Sequence, residues 1–230
     1  MIIARIVAVA IGYVCGLFET GYFYGKKKGV DIRTKGSGNS GATNTLRTFG
    51  WKAGLVTCLG DILKTVAAVL AVKLIFGRTY TENIILLELY AGFGAVLGHN
   101  FPFYMGFKGG KGIAATAGLI LSFHPYFIVM GVVLFFGAFL TTHYVSLGSL
   151  LVYAGFMIQM VVCGQMGLFG AMPQSQLYEM YAITAFLTVM AYWKHRQNIV
   201  RLIHGNERKT YLFKNKKSAE AQTEISGEDK

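Results

Sequence analysis

Long apolar segments fill most of this chain and leave little room for a water-soluble fold. Hydrophobic residues make up 53% of its 230 residues and charged residues only 14%, whereas roughly a quarter of the residues of a soluble domain are charged. A helix needs roughly 20 apolar residues to cross the hydrocarbon of a membrane. The composition therefore predicts an all-α integral membrane protein rather than a soluble enzyme with an anchor.

Seven segments have the character of membrane spans. They are residues 2–24, 53–76, 84–100, 113–124, 126–142, 147–169 and 177–193. The fourth is short, and the alternative is one helix from Ile113 to His143, which would be too long for a single crossing. The His124-Pro125 pair favours a break, because a residue before proline is biased away from the helical region. We therefore predict seven transmembrane helices.

Basic residues set the predicted orientation. Much of the net charge of +11 comes from Lys and Arg within residues 26–52 and 194–230. Seven spans put both clusters on one side, in agreement with the preference of Lys and Arg for the cytoplasmic side. We predict an N-terminus outside, a C-terminus in the cytoplasm, one membrane domain of residues 1–213 and a polar, disordered tail of residues 214–230. Basic clusters beside spans attract anionic lipid or substrate, so no nucleic-acid partner is expected.

Two glycine-rich loops separate apolar segments. In the first, Gly36, Gly38 and Gly41 match a dinucleotide-binding pattern, but a membrane helix precedes them where that fold requires a strand. Glycine lets backbone N–H groups converge on an anion, and arginine can bind phosphate through two parallel hydrogen bonds. The candidate phosphate-binding residues are Gly36, Ser37, Gly38, Asn39, Gly41, Thr43, Asn44 and Arg47. The alternative is a flexible surface loop.

The second glycine-rich loop runs from Gly106 to Gly112. It is not a Walker A motif, because Lys111 is followed by Gly112 and Met105 stands where the first glycine belongs. Its chemistry still suits a phosphate, since backbone amides and lysines precede the start of a helix. The candidates are Lys108, Gly109, Gly110, Lys111 and Gly112, and the alternative is a generic interfacial loop.

Two further groups of polar residues lie in or next to spans. His195 and Asn198 follow the last span and are three residues apart, so on a helix they share a face; the alternative is a merely basic helix end. Asp61 and Lys64 lie within a span, where ionisable groups are usually paired or functional. We interpret them as a structural ion pair facing the bundle. Cys15, Cys58 and Cys163 lie in apolar segments without metal-binding spacing, so no disulfide and no metal site are expected.

Together these motifs resemble the PlsY family of bacterial acyl-phosphate:glycerol-3-phosphate acyltransferases. The matching stretches are Gly36–Asn44 with Arg47, Gly98–Gly112, Tyr144–Ser149 and His195–Glu207, and the resemblance spans roughly residues 1–213. One departure is Ser40, where the family often has proline. We expect this change to loosen the loop without removing a hydrogen-bond donor.

The resemblance implies transfer of an acyl group from acyl phosphate to the 1-hydroxyl of glycerol 3-phosphate, in the membrane of a bacterial cell and on its cytoplasmic face. It implies no cofactor, and its partners are acyl phosphate, glycerol 3-phosphate and membrane lipid. The implied catalytic and substrate-binding positions are Ser37, Arg47, a loop lysine (Lys111 or Lys108), Ser146, His195 and Asn198, with Glu207 as a structural residue. Nothing in the pattern indicates an oligomeric state.

The motif loops contain no carboxylate that could act as a base, and no His is followed by Asp five residues on, a pair that many glycerolipid acyltransferases use. We therefore expect a phosphate oxygen of the substrate to take the hydroxyl proton. The competing class is a transporter or lipid-binding membrane protein with an anion site. Transporters often contain inverted repeats and broken helices in matching positions, and the sequence has no such repeat. A purely structural membrane subunit would leave the polar motifs unexplained.

Overall fold

The computed structural model describes residues 1–211, and all regular secondary structure in that range is helical. Ten α-helices lie in this range: α1 (Ile2–Gly16), α2 (Thr20–Lys27), α3 (Ala42–Phe49), α4 (Trp51–Phe76), α5 (Ile84–Asn100), α6 (Ile113–Phe123), α7 (Pro125–Thr142), α8 (Val145–Gln165), α9 (Gln174–Lys194) and α10 (Arg196–Ile203). Single 3₁₀ turns cover Ile32–Thr34, Thr81–Asn83 and Phe103–Met105. The predicted tail of residues 214–230 lies outside the described residues.

Five helical stretches of the described chain are long and apolar enough to cross a membrane. They are Ile2–Lys27, Trp51–Phe76, Thr81–Met105, Pro125–Thr142 and Val145–Gln165. The α6 helix is apolar but shorter. The α9 helix has sufficient length but carries several polar side chains, among them Gln176, Glu179 and Thr184. The number of seven crossings thus stays a prediction.

The break predicted before Pro125 is confirmed. Helix α6 ends at Phe123 and α7 begins at Pro125, with His124 between them in an extended conformation. Proline at the first position of α7 is favourable there, because its missing N–H would have no partner in the first turn of a helix. Helices α6 and α7 are therefore separate elements rather than one long helix.

The first span predicted for residues 2–24 corresponds to the helical stretch Ile2–Lys27, but this stretch is interrupted. Helix α1 ends at Gly16 and α2 begins at Thr20, with an extended Glu19 at the junction. The Glu19 side chain is fully buried and lies within ion-pair distance of Lys64 and His99. Since a buried charge is costly unless it is paired, the interruption lets this carboxylate reach its partners inside the bundle.

Small residues allow the central helices to pack closely. A Cβ atom on Gly12 of α1 would lie 2.0 Å from the carbonyl oxygen of Ala91, and one on Gly94 of α5 would lie 2.2 Å from that of Val9. The backbones of α1 and α5 are thus in direct contact, as in other membrane helix pairs with small interface residues. Helices α4, α6, α8 and α9 complete the buried core, whereas α7 has only two buried residues, Phe127 and Phe139.

Candidate active site

One cavity of about 390 Å³ lies where the two glycine-rich loops meet the start of α8, the end of α9 and the α10 helix. Its lining includes the residues for which the family resemblance implied catalytic or substrate-binding roles, with Lys111 as one of the two candidate loop lysines: Ser37, Arg47, Lys111, Ser146, His195 and Asn198. These residues come from four separate motifs of the chain. The fold therefore assembles into one site what the sequence shows only as scattered motifs.

Asn44 organises the first glycine-rich loop. Its side-chain nitrogen donates hydrogen bonds to the carbonyl oxygens of Lys35 (3.0 Å) and Asn39 (2.9 Å), and its oxygen accepts one of 2.8 Å from the Ser37 backbone N–H. Gly36 has a φ of +59°, and a Cβ atom there would lie 2.2 Å from the Asn44 oxygen. Only glycine is readily accommodated at this position.

The second loop presents Lys111 to the cavity. The Lys111 ammonium donates a short hydrogen bond to the side-chain oxygen of Asn198. Gly112, with a φ of +88°, then begins the turn into α6. Gly109 and Gly110 do not line the cavity; they pack against His99, where a Cβ atom on either would overlap the His99 carbonyl oxygen or ring.

Glu207 binds three other side chains of the cavity lining. Its buried carboxylate accepts hydrogen bonds from the Ser146 hydroxyl (3.0 Å), the Asn198 amide (2.7 Å) and the Arg201 Nε (2.8 Å). Burial acts to raise the pKa of Glu207, but these hydrogen bonds and the Arg201 charge together hold that pKa below its usual range. Glu207 is thus an anion whose carboxylate already accepts hydrogen bonds from three side chains of the site.

Arg47 connects the first loop to the segment that follows α10. Its Nη2 donates to the carbonyl oxygen of Arg208 at 3.0 Å and to the Thr210 hydroxyl at 2.7 Å. The Thr210 N–H in turn donates to the carbonyl oxygen of His143 at 2.9 Å. These hydrogen bonds hold the segment against Arg47 and the end of α7, and they place Arg208 at the cavity lining.

Two titratable groups in the cavity have strongly lowered pKa values. Burial, followed by the charge of Lys111, lowers the pKa of His195 to about 4, and burial with nearby arginines lowers the pKa of Lys111 to about 8. The Nδ1 of His195 lies 2.8 Å from the carbonyl oxygen of Ala191. Because a carbonyl oxygen only accepts, Nδ1 carries the proton and Nε2 of the neutral ring is an acceptor.

A family model described as glycerol-3-phosphate acyltransferase matches residues 6–205 of this chain. The chain belongs to the glycerol-3-phosphate acyltransferase family. A family member from Clostridioides difficile strain 630 is 39% identical over 209 residues, which cover 90% of this chain and 96% of that protein. Another, from Halalkalibacterium halodurans, is 40% identical over 198 residues, which cover 86% and 91%.

Two solved structures of a family member have the same fold. Both are of PlsY (YgiH), described as an integral membrane glycerol 3-phosphate acyltransferase. The glycerol 3-phosphate form has a TM-score of 0.76 at 29% identity and the lysophosphatidic acid form 0.71 at 30%, each over 90% of this chain and 96% of PlsY. Family membership and the five long apolar helices confirm the prediction of a helical integral membrane protein.

The other residues predicted in the family motifs fall into two groups. Those that line the cavity are Gly36, Gly38, Asn39, Gly41, Thr43, Asn44 and Gly112. Those that do not are Lys108, Gly109 and Gly110. Lys108 is exposed outside the cavity, so the geometry favours Lys111 as the loop lysine of the site. The prediction that Asn44 donates hydrogen bonds to a phosphate is not supported, because its amide hydrogens already bind carbonyl oxygens of the loop.

Several lining residues were not among the predicted site residues of this family member. They are Arg208, Arg201, Gln197, Ser149 and His99. Arg208 adjoins Glu207 in the sequence, but its place depends on the fastening of its segment by Thr210, which no sequence pattern reveals. Asp61, predicted as a structural partner of Lys64, pairs with it at 3.1 Å and also reaches the cavity. Within residues 1–211, no group of His, Cys, Asp or Glu is arranged to hold a metal ion.

Proposed function

We propose that this chain transfers an acyl group from acyl phosphate to the 1-hydroxyl of glycerol 3-phosphate, with lysophosphatidate and inorganic phosphate as products. The observation that carries the proposal is the convergence of four cations, Arg47, Lys111, Arg201 and Arg208, on one cavity. Two phosphorylated substrates repel each other, and fixed cations between them offset that repulsion and hold the reacting atoms together. The names of the relatives support glycerol 3-phosphate as the acceptor.

The cations differ in how they are held. Lys111 is oriented by Asn198, which Glu207 fixes in turn, so its ammonium is placed before a substrate arrives. Arg47 at present donates to two uncharged oxygens, those of Arg208 and Thr210. A phosphate is a stronger acceptor for the planar guanidinium fork than either. We assign phosphate binding to both cations, with Ser37 supplying a further hydroxyl at the rim.

In the proposed reaction, the 1-hydroxyl oxygen of glycerol 3-phosphate attacks the carbonyl carbon of acyl phosphate. The bond from that carbon to the phosphate oxygen breaks, and phosphate leaves. The Ser146 hydroxyl donates a hydrogen bond to Glu207, so its oxygen is available to accept a hydrogen bond from the attacking hydroxyl. The Nε2 of His195 is a second acceptor of this kind. Both orient the nucleophile.

A phosphate oxygen of the substrate takes the hydroxyl proton in this scheme, because no protein group of the cavity serves as the base. Lys111, with a pKa of about 8, is mostly protonated at neutral pH and binds phosphate as the ammonium. An effective general base has a pKa near the working pH, and that of His195 is about 4. The Glu207 carboxylate is occupied by three donors. Asp61 is engaged by Lys64 and Thr20.

The proposed topology follows the sequence prediction: seven crossings, an N-terminus outside and a C-terminus in the cytoplasm. With that arrangement both glycine-rich loops, the start of α8 and the α10 helix share the cytoplasmic face. Glycerol 3-phosphate would then reach the cavity from the cytoplasm, while the acyl chain remains in the bilayer.

The direct test is an assay of the purified protein in detergent with glycerol 3-phosphate and an acyl phosphate. We expect lysophosphatidate and inorganic phosphate in equal amounts. The same mixture with acyl-CoA or an acyl carrier protein thioester in place of acyl phosphate is the control, and we expect no product from it. Product from a thioester alone would refute the assignment of the acyl donor, and no product from any donor would refute the function.

A further inference from the structure

Four ionisable side chains form a buried cluster next to the cavity, and none of them has a part in the proposed acyl transfer. They are Glu19, Asp61, Lys64 and His99, with exposed fractions of 0%, 1%, 8% and 2%. Asp61 and His99 also line the cavity. The Lys64 ammonium lies within ion-pair distance of both carboxylates, which suits the burial of these three charges.

Lys64 lies at the centre of the cluster. Its Nζ is 3.1 Å from the Asp61 carboxylate and 3.4 Å from the Glu19 carboxylate, and it donates to the carbonyl oxygen of Phe18 at 2.7 Å. Asp61 accepts a further hydrogen bond of 3.0 Å from the Thr20 hydroxyl. These contacts join α4 to the junction between α1 and α2.

Glu19 connects this cluster to both glycine-rich loops through its two oxygens. Oε2 accepts a 2.5 Å hydrogen bond from the hydroxyl of Ser40 in the first loop, and Oε1 lies 2.6 Å from Nδ1 of His99. The His99 carbonyl oxygen accepts from the Gly110 N–H at 3.0 Å. A Cβ atom on Gly110 would lie 2.0 Å from the His99 ring, so the second loop rests directly on that ring.

Ser40 does not loosen the first loop as the sequence led us to expect. Its side chain is 1% exposed, and its hydroxyl supplies the hydrogen bond to Glu19. Proline, the residue that the family often has there, has no side-chain donor. Within the described chain, the only direct side-chain hydrogen bond between the two loops is a long one of 3.4 Å from Asn39 to the carbonyl oxygen of Gly109.

We propose that Glu19 is a positioning residue whose carboxylate, bound to Ser40 by one oxygen and to His99 by the other, sets the spacing between the two phosphate-binding loops. This inference rests on the proposed function, in which Arg47, just after the first loop, and Lys111, in the second, both bind phosphate. A misplacement of about 1 Å between reacting groups can cost about a hundredfold in rate. A rigid connection through a buried carboxylate therefore serves the transfer step more than the binding of either substrate.

The Ser40→Ala variant removes the hydrogen bond from the first loop to Glu19 without removing a charge. We expect kcat to fall about tenfold or more, while KM for each substrate changes by less than about threefold, because each loop keeps its own phosphate contacts. The matched control is Thr20→Val, which removes another buried hydroxyl-to-carboxylate hydrogen bond of the same cluster, but one that does not reach a loop. It should lower Tm about as much as Ser40→Ala and leave kcat unchanged.

A distance measurement tests the connection independently of activity. Nitroxide labels at Lys35→Cys and Lys108→Cys, in a background with Cys15, Cys58 and Cys163 replaced by alanine, report the loop separation by pulsed electron spin resonance. We expect Ser40→Ala to broaden or shift the distance distribution and Thr20→Val to leave it unchanged. A distance distribution in Ser40→Ala that equals those of the wild type and of Thr20→Val would overturn the inference. An inactive wild-type protein with the expected distances would instead overturn only the proposed function.

Discussion

The side-chain amide of Asn198 donates a 2.7 Å hydrogen bond to the buried carboxylate of Glu207, and the oxygen of the same amide accepts from the Lys111 ammonium. Asn198 can do both only with its amide turned one way, because the anionic carboxylate requires the N–H₂ and the ammonium requires the oxygen. Glu207 therefore fixes the position of a cation that it does not touch. Glu207 thus acts as a positioning residue, because it orients Asn198, which in turn holds Lys111.

Glu207→Gln should lower kcat/KM for glycerol 3-phosphate by roughly ten- to a hundredfold. Hydrogen bonds to charged groups contribute about 1.5–3 kcal/mol, and the neutral amide accepts through only one oxygen while it brings a donor towards Ser146, Asn198 and Arg201. Steady-state kinetics measure the effect. Glu179→Gln is the matched control, because Glu179 accepts from Arg5 in α1, outside the cavity lining; it should reduce Tm but not kcat/KM. Equal kinetics in both variants would contradict the role of Glu207.

Arg47→Lys should reduce kcat/KM by about ten- to a hundredfold, although the charge is kept, because lysine lacks the planar fork that binds phosphate through two hydrogen bonds. The control is the same substitution at Arg196, whose side chain is exposed and absent from the cavity lining. Initial rates at subsaturating glycerol 3-phosphate separate the two variants. Wild-type rates for Arg47→Lys would show that this arginine does not bind a phosphate.

The sequence identified the site better at the level of residue types than at the level of individual contacts. Glycines next to Lys111 and Arg47 predicted phosphate binding through local chemistry, and both side chains do line the cavity. Asn44 belongs to the same motif, but its amide serves the loop backbone. A motif cannot separate these roles, because the partners of Asn44 are backbone carbonyls whose positions depend on how the loop folds.

The helices could be predicted where one local signal dominates. Apolar length located α4 and α5 closely, and proline located the break between α6 and α7. The interruption at Glu19 could not be predicted, since one carboxylate in an apolar segment does not reveal that Lys64 and His99, on two other helices, will meet it. Where distant residues decide the local conformation, composition and periodicity carry no signal.

Single cysteines test the predicted topology. Introduced at Lys35 and at Lys209, both exposed in the structure, they should react with an impermeant maleimide only when the cytoplasmic side is accessible. One introduced at Arg78, just after α4, should react from outside, because α4 carries the chain across the membrane. The cysteine-free parent is the control for background labelling. Opposite sidedness of positions 35 and 209 would exclude seven crossings and a shared cytoplasmic site.

The alkaline limb of the pH profile should belong to Lys111. Its pKa is lowered to about 8 in the free protein, so the ammonium is charged below that pH and loses its proton above it. We expect kcat/KM to fall as the pH rises through about 8, because this parameter reports ionisations of the free enzyme. Lys111→Arg should be slower throughout but lack this limb, since arginine stays protonated. A limb at the same pH in Lys111→Arg would assign it to another group.

The acid limb distinguishes substrate from protein as the proton acceptor. Since the pKa of His195 is about 4, its ring is neutral throughout the range above pH 5, and its titration adds no inflection there. The second ionisation of a phosphate monoester has a pKa of about 6, so a phosphate that accepts the proton should make kcat/KM fall below about pH 6. His195→Gln keeps a hydrogen-bonding side chain without a titratable ring. We expect it to lower the rate while the acid limb stays at the same pH. Loss of that limb in His195→Gln, with KM for both substrates preserved, would instead make His195 the general base.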